Sequence, residues 1–110
     1  MIVDRDGNVT IIAQEKASVK TLVNNIEQSY EKYKNYHLIV RLSSLEKISL
    51  EDIIEFLRLS NIHRRDKKSF VIVTDQTDLD QMPDELVVVP TLQEAYDIIE
   101  MEDIERDLGF

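Results

Sequence analysis

Ser49 stands directly before Leu50, Glu51 and Asp52, ahead of apolar residues at helical spacing. A serine in that position has two uses. Its oxygen can accept from the free amides of a helix's first turn, worth about 1 kcal/mol. Alternatively, its hydroxyl can take a phosphate. Glu51 and Asp52 suit the positive end of a helix dipole, but they would repel the roughly −1.5 to −2 charge of a phosphoryl group. The cap is the favoured reading and phosphorylation of Ser49 the alternative. Ser43 and Ser44 are further hydroxyls with no better case.

The other chemistry-bearing residues form no catalytic set. The chain has no cysteine, which excludes disulfides, thiolate metal sites and a Cys nucleophile. Its two histidines, His37 and His63, lie 26 positions apart. Asp75, Asp78 and Asp80 have carboxylates for a divalent cation, but their loop lacks the Gly and final Glu of a calcium-binding loop. The basic run His63–Lys68 falls at a predicted helix end, where cations favour the negative dipole terminus. No aromatic residue interleaves it, which argues against nucleic acid. With no nucleophile–base pair and no metal cluster, the expectation is a protein that is not an enzyme, with no cofactor and no metal.

The elements that must position these residues follow from periodicity. Two apolar runs flank Asp6-Gly7-Asn8, which predicts a β-hairpin. Val19, Leu22, Val23, Ile26, Tyr30 and Tyr33 have helical spacing and predict a helix over about 18–34. His37–Leu42 is a β-branched run too short for a helix, so it reads as a buried strand. A second helix is predicted over 50–65, and a buried strand over Ser69–Val73. Residues 74–85 read as a polar loop containing Pro83, and Leu86–Val89 as a short strand. The last helix opens after Pro90, with Thr91 and Glu94 as a capping box. The order ββαβαββα predicts an α/β fold with a mostly parallel mixed sheet of about five strands and flanking helices.

Charge is unevenly distributed. Residues 1–74 carry 12 basic and 10 acidic groups, whereas 75–110 carry 12 acidic groups and one Arg, giving −9 overall. An acidic third repels phosphate and suits a basic protein partner, or simply keeps the chain in solution. The longest apolar run, Leu86–Val89, is far short of a membrane span, and the first residues carry acids where a signal peptide needs an apolar stretch. The expectation is a soluble cytoplasmic protein with no membrane contact.

Two helices carry more apolar surface than one buried stripe requires. On a continuous helix over 50–65, Leu50, Ile53, Ile54 and Leu57 share one sector, while Phe56, Leu59 and Ile62 lie on the other side. The second set either wraps into the domain's own core or docks a partner. On the last helix Leu92, Ala95, Tyr96 and Ile99 form one stripe. Met101, Ile104 and Leu108 form another, rotated by about 150°. The division is thus a domain over 1–100 and an acidic amphipathic tail over 101–110 that ends in Phe110. Phe56, Leu59, Ile62, Met101, Ile104, Leu108 and Phe110 are the candidate partner-binding residues.

The segment from Leu38 to Asp75, a strand ending in Leu42-Ser43, a short loop, a helix with an apolar face, a basic stretch and a second strand, resembles the STAS domain. That is the fold of anti-sigma-factor antagonists and of sulfate-transporter cytoplasmic domains. The resemblance in layout and register covers most of the chain, and it implies regulatory partner binding without catalysis. In phosphorylatable members an Asp-Ser pair precedes the helix and a partner kinase modifies the Ser. With Leu42-Ser43 set on the family's Leu-Ser, Ser49 falls at the Asp position and Leu50 at the Ser position, so the family's acceptor is not carried over. The family usually has a helix after the Phe70–Val73 strand, where this chain has the loop 75–85.

The full length, and particularly the ending from Pro90 to Phe110, also resembles short bacterial proteins labelled ribonuclease Z. That enzyme holds two zinc ions with a His-x-His-x-Asp-His cluster, which two histidines cannot supply. The sequence therefore points to a non-enzymatic protein-interaction module of bacterial regulation, whose partner is another protein such as a kinase-type regulator. The alternative is an accessory protein of an RNA-processing nuclease.

Overall fold

Gly7 turns the chain back on itself. It adopts φ 59, which glycine reaches without a Cβ clash, and it leaves a two-residue turn between β1 (Ile2–Asp6) and β2 (Val9–Ala13). The computed structural model describes residues 1–14, 17–42 and 48–109. The hairpin pairs antiparallel, Ile2 with Ala13 and Asp6 with Val9. Three further strands follow, β3 (His37–Arg41), β4 (Phe70–Val73) and β5 (Val87–Val89). Each pairs parallel with its predecessor, so the sheet runs β1-β2-β3-β4-β5.

The helices are α1 (Val19–Gln28), α2 (Leu50–Ile54), α3 (Leu57–Arg65) and α4 (Leu92–Asp107). Alternation along the strands assigns them to layers. Leu38 and Val40 of β3 and Phe70 and Ile72 of β4 pack with Leu22, Ile26, Ile53, Phe56 and Leu59 from α1, α2 and α3. Ile39, Val71 and Val73 point the other way and pack with Ala95 and Ile99 of α4. Among the described residues, one face thus carries three helices and the other carries α4 alone. β1, at the edge, is exposed along its whole length.

Two predicted helices are shorter than their periodicity suggests. α1 stops at Gln28, and a 3-10 turn over Tyr30–Lys32 carries the chain on to a buried Tyr33. The helix predicted over 50–65 is two helices, with Glu55 and Phe56 in a turn between them. Between β4 and β5 the chain makes only a 3-10 turn, Leu79–Gln81, capped by the Asp78 side chain. This α/β architecture, a five-stranded mixed sheet with flanking helices, is the one expected from the order of elements.

Candidate docking surface

The carboxyl ends of β3 and β4 lead into the Ser49 region. The Leu42 amide donates to the Val73 carbonyl at 2.9 Å. The chain is tied down again at buried Ile48, whose amide donates to the Gln76 carbonyl at 2.8 Å. Ser43 and Ser44 lie outside the described residues, as does Phe110. Ser49 begins α2 as a full capping box. Its Oγ accepts from the Asp52 amide at 3.1 Å, and Asp52 Oδ2 accepts from the Ser49 amide at 3.3 Å. The hydroxyl is exposed, but its geometry is that of a helix cap.

α2 then presents apolar side chains outward. Ile53 is fully buried, whereas Leu50 is 38% exposed and Ile54 44% exposed, one turn apart on the same face. Leu50 and Ser49 line a cleft of about 290 Å³ with Ile48, Thr77, Gln81 and Met82. Leu79, also exposed, belongs to the 3-10 turn that supplies Gln81. An apolar surface with a polar rim therefore sits at the carboxyl end of the sheet.

The expected partner-binding residues fall into three groups. Phe56 is wholly buried and Leu59 nearly so, both in the core beneath α1 and β4, so they offer a partner nothing. The cause is which stripe is buried: Ile53, Phe56, Leu59, Ser60 and His63 keep one helical phase across the Glu55-Phe56 turn and face the core, which leaves Leu50 and Ile54 outside. Ile62 is half-buried beside Glu27, Tyr30 and Arg58 at a small hollow of about 160 Å³. Met101, Ile104 and Leu108 are exposed, but they stand on α4 and not on a separate tail, since the helix continues unbroken to Asp107. α4 is capped as expected by Thr91, whose Oγ1 accepts from the Glu94 amide at 3.2 Å. The Glu94 carboxylate accepts from the Thr91 hydroxyl, which replaces the backbone arm of a box.

A polar network at the opposite end of the sheet was not foreseen. The inward face of α4 runs from Ala95 and Ile99 to Glu102 and Arg106, and these two find charged or polar partners. Arg64 of α3 donates to Glu102 at 2.9 Å and to the Phe70 carbonyl at 3.0 Å. Arg106 donates to Asp103 at 3.2 Å and to Ser69 Oγ at 3.0 Å. His37 accepts the Ser69 amide at Nδ1, 2.9 Å, so its proton sits on Nε2 and points at Asp103, 3.1 Å away. Burial holds the His37 pKa below its usual value, and Asp103 only partly offsets this. His63 is fully buried. Its Nε2 donates to the Tyr36 carbonyl and its Nδ1 accepts from the Tyr30 hydroxyl, both at 2.7 Å. Burial pushes its pKa down to about 4, so it is neutral at pH 7.

Ser69, His37 and Asp103 thus come together without making a nucleophilic triad. The imidazole nitrogen that would accept a serine proton is already taken by a backbone amide, and Ser69 Oγ accepts from an arginine. Asp75 Oδ1 and Asp78 Oδ1 accept from the Gln76 side chain and the Asp80 amide within their own loop. Among the described residues no three His, Cys, Asp or Glu side chains are placed to hold a metal. Within the same residues no helix is long and apolar enough to cross a membrane.

A hairpin feeding parallel strands, with three helices on one face and one on the other, defines a STAS-like α/β domain. Among solved structures, the chain is similar to one from "Molecular architecture of the stressosome, a signal integration and transduction hub". The two are 15% identical, the match covers 90% of this chain and 96% of that one, and the TM-score is 0.57. No protein-family model matches the chain, and no curated protein matches it significantly. Nothing in these comparisons supports the likeness to proteins labelled ribonuclease Z.

Proposed function

We propose that the chain is a non-enzymatic protein-interaction module of bacterial regulation, of the anti-sigma-factor-antagonist type, which binds a protein partner through the α2 end of the sheet. The observation that carries this reading is the pair Leu50 and Ile54, exposed on one face of α2 while Ile53 between them fills the core. Large apolar groups left partly exposed at a helix start, beside a cleft and an apolar 3-10 turn, suit a partner's surface. The solved structure with a similar fold comes from the stressosome, described as a signal integration and transduction hub, which fits a module that works by contact. Both histidines have both ring nitrogens engaged, which leaves neither as a ready general base.

The test compares the wild-type chain with a Leu50→Asp, Ile54→Asp variant as bait in its native host, read by quantitative mass spectrometry. Both side chains face solvent, so the variant should melt like the wild type. The expected result is a kinase-type regulator or other signalling protein enriched by the wild type and lost with the variant. Equal recovery of the partner by both baits overturns the α2 surface. Hydrolysis of RNA or phosphodiesters by the purified chain, abolished by His63→Ala, overturns the non-enzymatic reading.

A further inference from the structure

α4 has two faces of different character, and only one is explained by packing. The inward face holds Ala95 and Ile99 and then the paired Glu102 and Arg106. Ile104 and Leu108 lie on the outward side with Met101, and these three side chains are 54%, 68% and 50% exposed. A helix whose inward face is charged and whose outward face is apolar over its last two turns inverts the ordinary pattern of a surface helix. Charged residues would serve solvent exposure better, so the stripe calls for another surface to cover it.

Beside the stripe runs a groove of about 500 Å³ between α4 and the β1–β2 turn. Its walls include Asp6, Glu100, Asp103 and Asp107, with Ile104 on its rim and no Lys or Arg among the described residues. Two of these carboxylates are occupied. Asp6 accepts from the Tyr96 hydroxyl at 2.8 Å, and Asp103 faces His37 and Arg106. Glu100, Asp107 and the neighbouring Glu105 make no ion pair among the described residues. The groove therefore offers apolar area framed by free negative charge.

From this we infer that the groove and stripe are a second docking site, for a basic amphipathic segment of a partner protein. Its lysines or arginines would pair with Glu100, Glu105 and Asp107, while its apolar residues cover Ile104 and Leu108. Charge complementarity selects this occupant. Nucleic acid and anionic lipid would both be repelled by the same carboxylates. The site lies at the amino ends of the parallel strands, whereas α2 begins at their carboxyl ends, so the two surfaces are separate and this inference stands without the other.

The experiment titrates the full chain into a fluorescent Lys/Leu amphipathic peptide of about 14 residues, roughly four helical turns. Anisotropy is read at about 50 mM and about 300 mM salt, a range that shortens the screening length severalfold. Wild type should bind, and more weakly at the higher salt. Glu100→Lys with Asp107→Lys should weaken binding by about tenfold or more. Ile104→Ser should weaken it at both salts. Asp84→Lys with Glu85→Lys makes the same charge change away from the groove and should leave binding within about twofold. Circular dichroism melts confirm that every variant is folded, and amide chemical shifts should move along residues 100–108. The inference is overturned if both double variants lose binding equally, if shifts cluster at α2 instead, or if sedimentation shows a second copy of the chain occupying the groove.

Discussion

Glu102 of α4 and Arg64 of α3 meet at 2.9 Å although 38 positions separate them, and both side chains are mostly buried. The contact ties the end of α4 to the end of α3 past the amino end of β4, and Arg64 holds the Phe70 carbonyl with its other nitrogen. Glu102→Ala leaves Arg64 half-buried with one acceptor fewer and should cost roughly 1–3 kcal/mol. Ending the chain at Glu100 also removes Asp103 and Arg106, and with them the partners of His37 and Ser69. The truncated protein should therefore unfold at lower urea than Glu102→Ala. Urea melts of the three forms check this order, and a truncation that melts with the full chain would show that the network contributes nothing.

Ser49 is predicted to act through the helix it begins. Ser49→Ala removes the acceptor for the Asp52 amide and should cost about 1 kcal/mol, while Ser49→Asp keeps an acceptor and should be near neutral. Partner binding by a stably folded Ser49→Asp protein separates cap from switch. Unchanged binding fits a cap, and a large loss would assign Ser49 to phosphorylation control.

Phe56 and Ile54 should respond oppositely to the same truncation. Phe56→Ala opens a hole between α1 and β4 and should cost about 3–5 kcal/mol. Ile54→Ala touches an exposed position and should fall within about 0.5 kcal/mol of wild type. Denaturant midpoints decide, and a large loss from Ile54→Ala would mean that Ile54 packs in the core.

Stability should fall with acid through His63. Its pKa of about 4 in the fold lies below the ordinary 6.5, so between those values the unfolded chain binds a proton that the native state refuses. The resulting stabilisation is fully present above about pH 6.5 and is lost as pH falls toward 4; its size is on the order of 3 kcal/mol. His37, also lowered by burial, acts in the same direction. Urea melts of the wild type at pH 7 and pH 4.5 should differ more than those of His63→Gln at the same two values. An equal pH dependence would place the effect elsewhere.

The sheet and its caps were legible in sequence because they depend on local rules. Gly7 specified a turn, β-branched runs specified strands, and Ser49 and Thr91 marked helix starts. The break at Glu55-Phe56 was not legible, because neither Pro nor Gly marks it. Phe56 and Leu59 stood open as core or partner contacts, because the stripe they share with Ile53 is completed by Ser60 and His63, polar residues that do not read as core. The inward turn of Glu102 and Arg106 was hidden for another reason. A charged residue reads as exposed until its partner is known, and Arg64, His37 and Ser69 are partners only in three dimensions. No pattern near Asp103 announces His37. The exposed stripe of Met101, Ile104 and Leu108 was visible as a phase change, but not the unbroken helix that carries it.

The sequential strand order has a consequence for synthesis. Each strand joins the sheet at the side of the one made just before it, so no later strand must insert between two earlier ones. The chain can grow its sheet from β1 onward as it leaves the ribosome, each new strand finding a ready edge. The layer of α1, α2 and α3 is complete once β4 has formed. The opposite face, with Ile39, Val71 and Val73, stays open to water until α4 arrives last. A nascent chain stalled before residue 92 would therefore carry an uncovered apolar sheet face, and chaperone capture should peak at that length and vanish once α4 has emerged.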